Sequence, residues 1–99
     1  MNRFFLTASL VEREALRYTP AGIPVVNCML QHGGDVTEAN TPRQIEFHIA
    51  AVAVGSIGQE IDRMPLGAMM EWEGFMARRH RNSKALVYHI TGCKEFAKD

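Results

Sequence analysis

Five stretches of this chain carry the composition or the two-residue alternation of β-strands. Residues 3–11, from Arg3 to Val11, are rich in aromatic and β-branched side chains and predict the first. Val25 to His32 predicts the second, and Gln44 to Val54 the third. In the first half of the third, Ile45, Phe47 and Ile49 alternate with Glu46 and His48, and its second half is apolar on both sides. The fourth sets Met70, Trp72, Gly74 and Met76 against Glu71, Glu73 and Phe75. The fifth runs from Ala85 to about Phe96.

Between these stretches lie turn signals and one helical one. Glu12 to Thr19 is charged and ends at Pro20-Ala21-Gly22-Ile23-Pro24, a strong turn. Gly33-Gly34-Asp35 predicts the opening of a polar loop that runs through Glu38, Asn40 and Pro42. Ser56 to Arg63 predicts a short helix, with Ser56 as its cap and Gln59 completing a capping box. Its apolar side is Ile57, Ile61 and Met64, and Met64-Pro65-Leu66-Gly67 ends it. Five strands with a short helix between the third and fourth is the order of an all-β OB-fold, a small Greek-key barrel. An SH3-like barrel is the nearest rival, but it normally lacks a helix at that position.

Length and composition agree with one small domain over residues 1–99. Of its 99 residues 46% are hydrophobic and 22% charged, which argues against a disordered chain. The longest apolar run, Ile49 to Val54, falls far short of the roughly 20 residues of a membrane helix. The apolar N-terminal stretch is too short for a secretory signal, so a cytoplasmic location is expected. Cys28 and Cys93 lie in strand patterns with no CxxC motif and no nearby histidine cluster. They are expected to be reduced core thiols. The histidines are not at metal-ligand spacing, and neither a metal nor a cofactor is implied.

Charge changes this picture. The chain holds eleven cations and eleven acids, yet five of the cations and none of the acids fall between Gly74 and Lys94. Arg78, Arg79, Arg81 and Lys84 crowd into one turn beside His80 and Asn82. A basic hairpin tip on a β-domain suits a nucleic-acid backbone better than it suits a small-molecule pocket. Charged tips are also ordinary devices that keep sheet edges from aggregating. Here the missing acids and the choice of arginine, which forks onto phosphate and stacks on bases, favour the nucleic-acid reading.

Several residues then resemble a known family. Asn2-Arg3 before the first strand, the run Arg17-Tyr18-Thr19-Pro20-Ala21-Gly22-Ile23-Pro24, Glu73-Gly74-Phe75 and the closing basic hairpin resemble the bacterial primosomal replication protein N (PriB) family. That family lies within the single-stranded DNA-binding superfamily of OB-folds. The resemblance covers nearly the whole chain, and the TPAGIP stretch is its most specific part. It implies a homodimer that binds single-stranded DNA and acts with the primosomal helicase and other primosome proteins in replication restart. It implies no catalysis and no membrane. It also places DNA contacts on the loop joining strands four and five and on an aromatic of strand three. That aromatic aligns with either Glu46 or Phe47, according to a one-residue gap.

Aromatic side chains are the other half of single-strand binding, because every base has a π-face. Trp72 sits on the apolar side of its strand and is expected in the core, whereas Phe75 shares a side with Glu71 and Glu73 and is expected outside. Phe47 shares a side with Ile45 and Ile49, so periodicity puts it in the core while the family resemblance pulls it outward. Tyr88, close behind the basic turn, could stack on a base or pack on the sheet. Arg43, with Arg17 and Tyr18, would extend the basic track. Glu71 and Glu73 lack a third polar partner for acid–base chemistry and are expected on an exposed face or in a dimer contact. The candidate DNA contacts are therefore Arg43, Phe47, Phe75, Arg78, Arg79, His80, Arg81, Lys84 and Tyr88. A protein–protein adaptor of the primosome, with DNA binding incidental, is the alternative, favoured by zero net charge and by Glu46.

Overall fold

A computed structural model describes residues 1–96 of the chain. Its strands are β1 (Phe4–Arg13), β2 (Arg17–Tyr18), β3 (Pro24–Glu38), β4 (Thr41–Val54), β5 (Met69–Arg78) and β6 (Leu86–Glu95). One helix, α1 (Ser56–Asp62), lies between β4 and β5. The sheet order is β1-β5-β6-β4-β3-β2, and a further β1–β3 pairing closes the five long strands into a barrel. This is the expected OB-fold, with the expected third and fourth strands now β4 and β5. Closure leaves β1 to serve two neighbours. It pairs with β5 from Phe4 to Ser9 and with β3 from Ser9 to Arg13, and the irregularity between Leu10 and Glu12 lets it bend from one to the other.

The interior takes one side of each strand. Ala8, Leu10, Val26, Leu30, Ala53, Trp72 and Tyr88 are essentially sealed from solvent, and Ile57 and Ile61 of α1 close the barrel floor. The two large polar-tipped rings are satisfied inside, since Trp72 Nε1 donates to the Ala8 carbonyl at 3.0 Å and Tyr88 Oη to the Phe4 carbonyl at 2.8 Å. Gly74 is required by close approach. A Cβ there would collide with the His89 carbonyl oxygen and stand 3.1 Å from Tyr88 Cζ.

Three expectations are corrected. The polar loop from Gly33 to Arg43 is instead a β-ribbon. The β3–β4 ladder runs unbroken to Glu38 opposite Thr41, closed by Ala39 and Asn40 at φ 48° and 62°. Two consecutive positive φ angles make the tight primed turn that matches strand twist, so the chain reverses at Asn40 rather than at the glycine pair. Pro42 is tolerated because the outer part of the ribbon has a free edge. Second, the capping box does not form: Gly55 is the N-cap of α1, with φ 94° and no side-chain hydrogen bond. The C-terminal end is held instead by Arg13, whose Nη1 donates to the carbonyls of Ile61, at 3.1 Å, and of Met64. Third, the charged segment before the Pro20–Pro24 turn contains the two-residue β2, which pairs with Pro24 and Val25.

Cys28 is buried and Cys93 partly so, and both are free thiols. Burial pushes the Cys28 thiol up from 9.0 to about 11, a rise that the Arg13 guanidinium partly offsets. Burial, helped by the Glu73 carboxylate, pushes the Tyr88 phenol up from 10.0 to about 12. Cys93 moves up as well, through burial and then Glu60. Each group therefore holds its proton more tightly when folded. The stability this contributes is complete below the unfolded pKa and drains away as pH rises through the folded one. The melting temperature should stay level to about pH 8.5 and fall steadily between pH 9 and about 11. A thermal melt series flat across that range would show the Tyr88 phenol and the two thiols to be solvated.

Candidate nucleic-acid interface

The tip joining β5 to β6 is shaped by its own backbone. Arg79 N–H donates to the Ala85 carbonyl at 2.9 Å, Ser83 N–H to the His80 carbonyl at 3.0 Å, and Ala85 N–H to Ser83 Oγ at 3.0 Å. Arg78 Nη1 adds a cross-tie to the Arg81 carbonyl at 2.8 Å. Arg78, Arg79, His80, Arg81 and Lys84 are all exposed. Among the described residues the ion pairs are Arg3–Glu73, at 2.9 Å, and Arg43–Glu38. No carboxylate of residues 1–96 thus neutralises the four cations of the tip. Arg43 differs, because its charge is spent on Glu38 in the adjoining strand of the ribbon.

The ribbon rises beside this tip. β4 and β6 run parallel, with Ala51 opposite Tyr88 and Val52 opposite His89. Both strands start at one end of the barrel, so the β3–β4 ribbon and the basic tip project from that same end. The outer face of β3, β4 and β6 is hollowed into a trough of about 560 Å³. Its lining mixes apolar Met29, Ala50, Val52 and Val87 with Glu14, Asn27, Arg17 and Arg79, the last from the tip.

The aromatic candidates separate. Phe75 faces outward as expected, 37% exposed, and lies flat against His89 with centroids 4.7 Å apart and planes 11° apart. Phe47 stays on the inward side of β4, yet it is 38% exposed because the ribbon has left the barrel by that point. It packs on His32 across the ladder at 5.2 Å. Tyr88 is a correction. Its ring is 1% exposed and its hydroxyl is committed to Phe4, so it fills the core instead of offering a face to a base.

Glu71 and Glu73 lie on the outer side of β5, toward its start from Phe75. Glu73 is engaged by Arg3, whose guanidinium also lies 5.0 Å from the Phe5 ring centroid. Both acids border a shallow hollow of about 470 Å³ that Phe5, Thr7, Cys93 and Lys94 also line. His89 was not among the expected residues, although its alternation with Tyr88 and Ile90 on the last strand could have placed it outside.

A profile of a family described as "Another single-strand binding protein family" matches residues 2–92. The chain is 36% identical to the replication restart protein PriB of Bordetella pertussis over 98% of its own length and 91% of the relative's. It is 33% identical to that of Nitrosomonas europaea, over 90% and 82%. The chain belongs to the PriB family. The PriB structure from Ralstonia solanacearum superposes with a TM-score of 0.90 at 47% identity, covering 98% of this chain and 99% of that one. The single-stranded DNA-binding protein of Thermus aquaticus shares the barrel alone, with a TM-score of 0.76 at 17% identity over 98% of this chain and 51% of that one. No described helix is long and apolar enough to cross a membrane.

Proposed function

We propose that this chain, acting as one OB-fold domain, is a non-catalytic accessory protein of replication restart that binds single-stranded DNA. On this reading it works in the cytoplasm as a homodimer. It holds single strands while the primosomal helicase, which it stimulates, reloads the replicative helicase. The observation that carries the reading is the set of four tip cations with no carboxylate ion-paired to them among the described residues, one of which, Arg79, lines the trough. Arg78, Arg79, Arg81 and Lys84 take phosphates, with His80 as a further loop contact. Phe75 on its His89 support offers a stacking face, and Phe47 offers a second on the ribbon. Arg43 serves only when the strand competes it away from Glu38. Names of the relatives support the restart role.

The test is anisotropy of a labelled single strand and of the matching duplex, at about 50 mM and about 200 mM salt. The single strand should bind preferentially, with affinity falling steeply across that interval. Equal binding of duplex would remove the proposal. An adaptor reading, in which the helicase is the main partner, is favoured by Glu46 and Asp35 on the ribbon and by zero net charge. Comparing dissociation constants for DNA and for the helicase at one salt concentration separates the two.

A further inference from the structure

The two projections at this end of the barrel differ in chemistry. The β5–β6 tip presents guanidinium and ammonium groups. The ribbon's outer side presents Gln31, Asp35, Gln44, Glu46 and His48, which lie on one face by strand alternation and by the pairings Gln31–His48, Gly33–Glu46 and Asp35–Gln44. Glu46 is exposed and held in place, its Oε1 accepting from Gln31 Nε2 at 3.1 Å. That bond leaves Glu46 Oε2 and Gln31 Oε1 free as acceptors. Arg43, the ribbon's cation near this point, is occupied by Glu38.

A polynucleotide that reaches both projections cannot lie indifferently across them. Its phosphates go to the cationic tip, and a phosphate brought against Glu46 would meet a like charge. The bases then turn toward the ribbon, where they meet acceptors. Cytosine, adenine and guanine carry exocyclic amino donors, and guanine sets N1–H beside its N2 amino group, a pair that matches the two oxygens of a carboxylate. Thymine has one ring N–H flanked by two carbonyl oxygens, which a carboxylate repels. Resting on the single-strand reading above, we infer that Glu46, positioned by Gln31, makes this protein a composition-sensitive binder that prefers amino-bearing bases, guanine foremost, over thymine. An OB-fold that relied on stacking alone would tolerate every base.

The experiment uses the full chain and equal-length labelled strands of oligo-dT, oligo-dC and oligo-dT carrying spaced guanines, with a further strand in which those guanines are inosines. The wild type should bind the guanine-bearing strand about fivefold or more tightly than oligo-dT, and oligo-dC more tightly as well. Inosine, which lacks the N2 amino group, should lose most of the guanine advantage. Glu46→Ala should bind oligo-dT more tightly than the wild type does and bring the ratio near one. Glu46→Gln, which keeps the shape and the Gln31 contact, should also lose the guanine preference. Circular dichroism confirms that both variants fold. Wild-type binding without any composition preference overturns this assignment alone. A preference that survives in Glu46→Ala does the same. Failure of every strand to bind overturns the single-strand reading together with it.

Discussion

Replacing Arg78, Arg79, Arg81 and Lys84 together by alanine is expected to weaken single-strand binding by on the order of a hundredfold or more at low salt. The slope of log affinity against log salt should shrink by about 2.8, close to 0.7 for each single-strand phosphate that is no longer neutralised. The four side chains are exposed and lie outside the core, so the melting temperature should hardly move. Arg78 is the exception within the set, because its tie to the Arg81 carbonyl also shapes the loop. A variant with lysine at all four positions controls for that. It keeps the charge and hence the slope, while losing the guanidinium fork and its stacking. Unchanged affinity and slope in the alanine variant would move the DNA to another face of the barrel.

Trp72→Ala should have the largest effect on stability, about 3–5 kcal/mol. The indole is 1% exposed at the centre of the core, and its removal opens a cavity that a closed barrel cannot collapse around. It also strips the Ala8 carbonyl of its donor, leaving a buried acceptor unpaired. A domain of this size has about 5–15 kcal/mol of stability in total, so the melting temperature should drop by roughly 15–30 °C, with the variant near unfolding at physiological temperature. Urea melts provide the measurement. A loss below about 1 kcal/mol would mean that the ring is not packed as described. DNA affinity measured on the folded fraction should stay close to that of the wild type, because the tip and trough lie outside the core.

These two sites mark the reach of local pattern. Trp72 alternates with Met70, Gly74 and Met76, and it is buried as that alternation implies. The basic tip was legible because composition alone shows cations without acids and because strands flank it on both sides. The Pro20–Pro24 turn formed where the residues demanded, with Gly22 at φ 84° and its N–H on the Thr19 carbonyl at 2.8 Å.

The ribbon, Phe47 and Tyr88 show where such reasoning stops. Strand periodicity determines which side of the pleat a residue occupies, and Phe47 does share its side with Ile45 and Ile49. It does not say whether anything covers that side. Phe47 is exposed because the barrel ends before it, whereas Tyr88 is sealed because β5 and the start of β1 close over it. Likewise the glycines and polar residues of 33–43 suit a loop locally, but the cross-strand ladder satisfied their backbone groups and drew them into strands.

By itself the chain's order of residues determined the five strands, the helix between the third and fourth, the core side of most strands and the acid-free turn. Each of these depends on neighbours within a few positions. Only the closed barrel decided that the Glu46 ribbon rises from the same end as that turn, that Arg43 is already paired and that Phe75 rests on His89. Those relations join residues distant in sequence, and they exist because a parallel β4–β6 register brings separate segments to one end of the molecule.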